Sequence, residues 1–180
     1  MTKERKIIVL VSGKAGVGKT EFCKHFNLLH GASFVIEHFA SGVKNLARDG
    51  FKWNGEKDEK GRALLQGVGQ VGRDYNENIW VEKTHKAILN QGYTLVLVDD
   101  WRFPNELSWL INNSDFEVYT VRIQAPNREI LKGNPTLYYD ISEISLPEGG
   151  MCHYDFIVNN EGSIEDLKKE VMKIHDIIME

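Results

Sequence analysis

Lys19 and Thr20 close the run Gly13-Lys14-Ala15-Gly16-Val17-Gly18-Lys19-Thr20, which reads glycine, four residues, glycine, lysine, hydroxyl residue. That spacing suits chemistry on a polyphosphate. Glycines let backbone N–H groups turn toward phosphate oxygens with no side chain in the way. The lysine reaches the β- and γ-phosphates, and the neighbouring hydroxyl can ligate Mg²⁺. A helix starting at this point aims its positive end at the anion. Gly13, Lys14, Ala15, Gly16, Val17, Gly18, Lys19 and Thr20 are therefore expected to hold the phosphates of ATP, with Lys19 also catalytic. A plain turn between strand and helix would need neither the lysine nor the threonine.

Asp99 and Asp100 form a second element, directly after the apolar run Leu95-Val96-Leu97-Val98. A carboxylate at a strand end beside a phosphate loop stands where a Mg²⁺ partner is needed, in direct contact or through water. Thr20, Asp99 and Asp100 are accordingly the expected metal residues. An acidic pair before Pro104 also suits a helix N-terminus, and the two uses are compatible. Arg102 follows closely and is a catalytic candidate for meeting transferring phosphate oxygens.

The third element runs from Lys60 to Arg73 and carries Gly67, Gly69 and Gly72 inside a helical pattern. Each such glycine costs about 1 kcal/mol relative to alanine. A penalty repeated three times points to close approach by another helix or by a ligand. Arg62 and Arg73 flank the stretch, and guanidinium groups hold phosphate bidentately. With Lys44 they suit a second, smaller anion, although surface arginines on a helix are the plainer alternative.

These groups need elements to position them. Strand patterns cover 7–11, 33–37, 94–98, 117–123 and 155–158. The first and third are unbroken apolar runs, expected of central parallel strands covered on both faces, and the others suit more peripheral places. Helical patterns cover 18–29, 41–48, 60–71, 76–90, 104–111 and 163–179. The last opens with Ser163 and Asp166 as a capping box, and Ile164, Leu167, Val171, Ile174 and Ile178 mark its apolar face. Alternation of this kind predicts an α/β three-layer sandwich, a parallel sheet with helices on both faces. Ligands in such folds bind beyond the carboxyl ends of the strands, the edge that the phosphate loop occupies.

Composition narrows the partners. The 180 residues suit one domain, and a net charge of −4 gives no broad basic field for nucleic acid. The N-terminal apolar run is too short for a signal peptide or a membrane span, so a cytoplasmic protein is expected. Cys23 and Cys152 lack the spacing of a zinc site, and Cys23 reads as a buried thiol. Residues from 124 to 151 form a long stretch with three prolines, read as a lid that would exclude water during phosphoryl transfer.

Several ordered blocks carry a family resemblance. They are the phosphate loop; Phe39-Ala40 followed by Lys44; the stretch from Trp53 to Arg73; Asp100-Trp101-Arg102-Phe103-Pro104-Asn105-Glu106; Asp140-Ile141-Ser142-Glu143; and the stretch from Asp155 to Gly162. In these the chain resembles phage-type deoxynucleoside monophosphate kinases, within the P-loop nucleoside monophosphate kinase group. The resemblance implies an adenylate-kinase-like fold with a five-stranded parallel sheet. It also implies Mg²⁺-dependent transfer of the γ-phosphoryl group from ATP to a deoxynucleoside monophosphate. Lys44, Arg62, Gln66 and Arg73 fall in the block resembling the monophosphate site, within an insertion spanning about 41–75. Arg128 falls where a lid arginine would close over the phosphates and is a third catalytic candidate. A dephospho-coenzyme A kinase and a nucleotide-binding module without turnover remain open readings. So does a partner-switching ATPase, because Lys14 stands where such proteins carry a lysine that reaches across a homodimer.

Overall fold

The computed structural model describes residues 5–30, 34–127, 145–146 and 153–180. Arg128, the Asp140 to Glu143 block, Cys152 and most of the lid-like stretch lie outside the described residues.

Among the described residues, five strands form one parallel sheet: β1 (Ile7–Ser12), β2 (Phe34–Glu37), β3 (Leu95–Val98), β4 (Glu117–Gln124) and β5 (Phe156–Asn159). Their order across the sheet is β2-β3-β1-β4-β5. Ile8 pairs in register with Val96 on one side and Val118 on the other, so β1 is the central strand. Every residue of β1 and β3 is buried, as their unbroken apolar runs require. β4 departs from expectation. It lies inside the sheet between β1 and β5, and its polar residues are divided along its length. Glu117 is exposed at one end, while Thr120 to Ile123 are buried. β2 and β5 are the two edges.

The described residues form six helices: α1 (Lys19–His30), α2 (Ala40–Phe51), α3 (Glu59–Tyr75), α4 (Ile79–Gln91), α5 (Pro104–Asn113) and α6 (Ile164–Met179). On one face α1 and α6 bury Phe22, Phe26, Leu167 and Val171 against Val9, Val11 and Val121. On the other, α4 and α5 bury Val81, Ile88 and Leu110 against Ile8, Leu10 and Val98. The alternating side-chain direction of β1 thus feeds two cores. Each large side chain fully buried in this way stabilises the fold by about 1.5–3 kcal/mol.

The helix ends follow the sequence closely. Ser163 Oγ accepts the Asp166 N–H at 3.3 Å, and Asp166 Oδ2 accepts the Ser163 N–H at 3.0 Å, so the capping box forms. Ile164 stays exposed, while Leu167, Val171, Ile174 and Ile178 are buried. α4 starts at Ile79 because Asn76 Oδ1 accepts the Asn78 N–H at 2.9 Å, a local turn that competes with the helix. No helix of the described residues is long and apolar enough to cross a membrane.

Candidate functional site

The phosphate loop leaves β1 and enters α1 with Gly13 at φ 147° and Gly18 at φ 105°, conformations that favour glycine. Space excludes a side chain as well. A Cβ on Gly13 would lie 2.5 Å from the Ile123 carbonyl oxygen, and one on Gly18 would lie 2.4 Å from Asn160 Nδ2. That amide also donates to the Val17 carbonyl at 2.8 Å. Asn160, at the end of β5, thus braces the loop from outside. Lys19 Nζ donates to the carbonyls of Gly13 at 2.7 Å and Lys14 at 2.8 Å, which keeps the ammonium folded against the loop.

The strand ends bring two carboxylates beside this loop, and each has a different task. Asp99 is buried and accepts from Thr20 Oγ1 at 3.2 Å. Its second oxygen pairs with His38 Nδ1 at 2.5 Å, at the end of β2. Burial alone would raise the Asp99 pKa. The His38 hydrogen bond and charge, with Thr20 and Lys19, outweigh it and hold the carboxyl below its ordinary value. The same hydrogen bond raises the imidazole pKa of His38. Asp100 turns the other way. Its oxygens accept the N–H groups of Phe39 at 2.8 Å and Ala40 at 3.0 Å, capping the start of α2. Burial raises its pKa against those two hydrogen bonds. The helix start that Asp100 serves is that of α2 rather than α5 before Pro104, whose first N–H groups go to Glu106.

Thr20, His38, Asp99 and Asp100 open onto a cleft of about 770 Å³. Lys44, Arg62, Gln66, Arg73 and Arg102 also line it, so residues from α2, α3 and the loop after β3 share one space with the phosphate loop. The Arg73 guanidinium lies 4.4 Å from the Phe103 ring centroid and donates to Gln70 Oε1 at 3.2 Å. Arg62 Nε donates to the Lys57 carbonyl at 2.9 Å. Arg102 is set by its own backbone. Glu106 Oε2 accepts the N–H groups of Arg102 and Phe103, each at 3.0 Å, at the start of α5. Burial pushes the Glu106 carboxyl up to about 8, against those two hydrogen bonds.

The glycines of α3 sort into two kinds. Trp80 of α4 packs on Gly72, where a Cβ would lie 2.3 Å from the indole, and its Nε1 donates to the Gly69 carbonyl at 3.0 Å. Gly67 borders the cleft with open space at its Cα. Phe39 and Trp80 are both buried. His38 and Lys57 also line the cleft and carry no spacing signal in the sequence. Only the fold, which brings strand ends and the α2–α3 turn together, reveals them.

No protein-family profile matches the chain, and no curated protein does. Solved structures are similar in fold. An APS kinase, CysC, of Mycobacterium tuberculosis in complex with AMPPNP and APS has a TM-score of 0.54 at 16% identity, covering 99% of this chain and 100% of that one. An unliganded sugar kinase from Janibacter sp. HTCC2649 has a TM-score of 0.53 at 15% identity, covering 96% of this chain and 95% of that one. At such identities the likeness is one of architecture. The chain has the α/β three-layer fold of these P-loop kinases, with a five-stranded parallel sheet among the described residues.

Proposed function

We propose that this protein transfers the γ-phosphoryl group of ATP to the phosphate of a deoxynucleoside monophosphate, giving the diphosphate and ADP. The observation that carries the reading is the single cleft that Lys19 and Thr20 line together with Lys44, Arg62, Gln66, Arg73 and Arg102. The first two suit a triphosphate tail, and the others suit a second phosphate.

The oxygen donors Thr20 Oγ1 and Asp99 Oδ2, already 3.2 Å apart, are of the kind that Mg²⁺ accepts. A Mg²⁺ ion held by these two residues would neutralise charge on the donor's phosphate oxygens. Asp100, nearby but bonded to the α2 backbone, supports the site from behind. In the mechanism, the loop N–H groups hold the donor phosphates and Lys19 follows the migrating phosphoryl group. Arg62, Arg73 and Lys44 bring the acceptor phosphate in line, and Arg102 meets charge on the equatorial oxygens. Arg128 completes this set in the proposal as a lid cation. The acceptor oxygen attacks as an anion, so no covalent enzyme nucleophile is required.

A phosphate acceptor fits the committed carboxylates better than a hydroxyl acceptor does. A hydroxyl needs a base to take its proton. Asp99 is engaged by Thr20 and His38, and Asp100 by two backbone N–H groups. The test is an assay of ATP with each deoxynucleoside monophosphate, each ribonucleoside monophosphate and dephospho-coenzyme A. Diphosphate and ADP formed in equal amounts with a nucleoside monophosphate are expected. Product from dephospho-coenzyme A alone would move the acceptor to a hydroxyl. Acceptor-independent hydrolysis with ATP-driven dimerisation would replace the kinase by a switch ATPase using Lys14.

A further inference from the structure

We propose that Lys57 binds the acceptor's phosphate, forming with Lys44 and Arg62 a three-cation clamp built on the turn between α2 and α3. The inference rests on the phosphoryl-transfer reading above and names a residue that carries no spacing signal in the sequence.

The turn is held tightly by its own contacts. The Trp53 backbone N–H donates to the Ala47 carbonyl at 3.2 Å, and Trp53 Nε1 donates to the Glu56 carbonyl at 2.8 Å. Asn54 Oδ1 accepts the Glu56 N–H at 3.0 Å, and the Arg48 guanidinium stands 5.3 Å from the Trp53 ring centroid. Gly61 lets the turn close on α3, because a Cβ there would lie 2.1 Å from the Glu56 carbonyl oxygen. Asp58 then caps α3 by accepting the Gly61 N–H at 2.7 Å. Lys57 is thus fixed between two anchored neighbours, and its carbonyl holds Arg62 Nε at 2.9 Å. The cation of Arg62 and the backbone of Lys57 are positioned as one unit.

The side chain of Lys57 lines the cleft together with Lys44 and Arg62. Partial burial lowers its ammonium pKa, and the charges of Lys44 and Arg62 lower it further. Lys57 and Arg62 stay exposed to solvent, at the cleft's open side, where an entering anion can reach them. Neither the Lys44 nor the Lys57 ammonium forms an ion pair within the described residues. Asp99 and Asp100 attract Lys57 across the cleft, but their oxygens are bonded to His38, Thr20 and the α2 backbone. Three cations gathered where the carboxylates are engaged make a place for a dianion, the charge state of a phosphomonoester near neutral pH.

The test is steady-state kinetics of the full chain carrying Lys57→Ala or Lys57→Arg, with ATP and the acceptor varied separately. Lys57→Ala is expected to raise the acceptor KM about 10-fold or more, as for loss of a charge-assisted hydrogen bond. The KM for ATP should change less than about 2-fold, and Lys57→Arg should recover most of the acceptor affinity, since the charge is kept. Thermal unfolding of each variant checks that the turn survives. An unchanged acceptor KM in Lys57→Ala, or equal rises in both KM values, would overturn the clamp while leaving the kinase reading standing. A wild-type chain that turns over no phosphorylated acceptor would overturn both.

Discussion

At the scale of single residues, Lys19 and Asp99 carry the heaviest chemical load in the proposed reaction. Removing the charge that follows the migrating phosphoryl group in Lys19→Ala should lower kcat by about 10²–10³-fold, the usual cost of one preorganised donor at developing charge. The melting temperature should stay close to that of the wild type, because the ammonium donates to loop carbonyls and belongs to none of the hydrophobic cores. Stopped-assay turnover beside a thermal melt checks both statements. The His38–Asp99 pair gives a second prediction. Asp99 raises the His38 pKa and is itself held low by His38. The histidine's contribution to stability is complete below 6.5 and fades as pH rises through its higher folded value. The aspartate's is complete above 3.8 and fades as pH falls through its lower folded value. The pair therefore stabilises most between those limits. In Asp99→Asn, an NMR titration should show the His38 pKa fall from its raised value, and an unchanged value would remove the pair from the account. The phosphate loop and the Asp99-Asp100 doublet are legible in sequence because their spacing is local. The division of labour within the doublet is not legible, because neither His38 nor the α2 N-terminus is near it in the chain.

At the scale of elements, α3 and α5 show how the cleft wall is built. Gly72 is a packing glycine, and Gly67 is an open one. Gly72→Ala should destabilise the fold by about 1–3 kcal/mol, since the added methyl drives into Trp80. Gly67→Ala should stabilise α3 by up to about 1 kcal/mol, because helix propensity rises with nothing in the way. Urea unfolding of the two variants should move in opposite directions, and movement in the same direction would contradict the assignment. The sequence announces an approach to these glycines but not its agent, because Trp80 comes from the next helix. Glu106 at the head of α5 gives a pH signature. Its folded pKa of about 8 lies above the ordinary 4.5. The native chain keeps a proton that the unfolded chain releases over that interval, so stability falls as pH climbs from about 4.5 toward 8, by at most about 1.4 kcal/mol per unit. Glu106→Gln should flatten that slope in unfolding measured at pH 5, 6.5 and 8. A slope equal to that of the wild type would assign the loss to other groups.

For the whole molecule, the strand order matters most. Placing β1 between β3 and β4 sets the phosphate loop, Asp99 and Arg102 along one edge, with the α2–α3 segment lining the same cleft. Strand and helix periodicity makes this architecture readable, and the alternation of elements restricts the sheet to parallel forms. The interior position of β4 is harder to read, because the charge of Glu117 lies at its exposed start while its buried half holds Thr120 and Arg122. The central claim is that a triphosphate and an acceptor phosphate meet end to end in this one cleft. Calorimetry with two nucleosides joined through five phosphates tests it most directly. One equivalent should bind more tightly than ATP or the acceptor alone, and kinetics should show competition against both substrates. Binding no tighter than ATP, with competition against ATP only, would contradict a shared cleft.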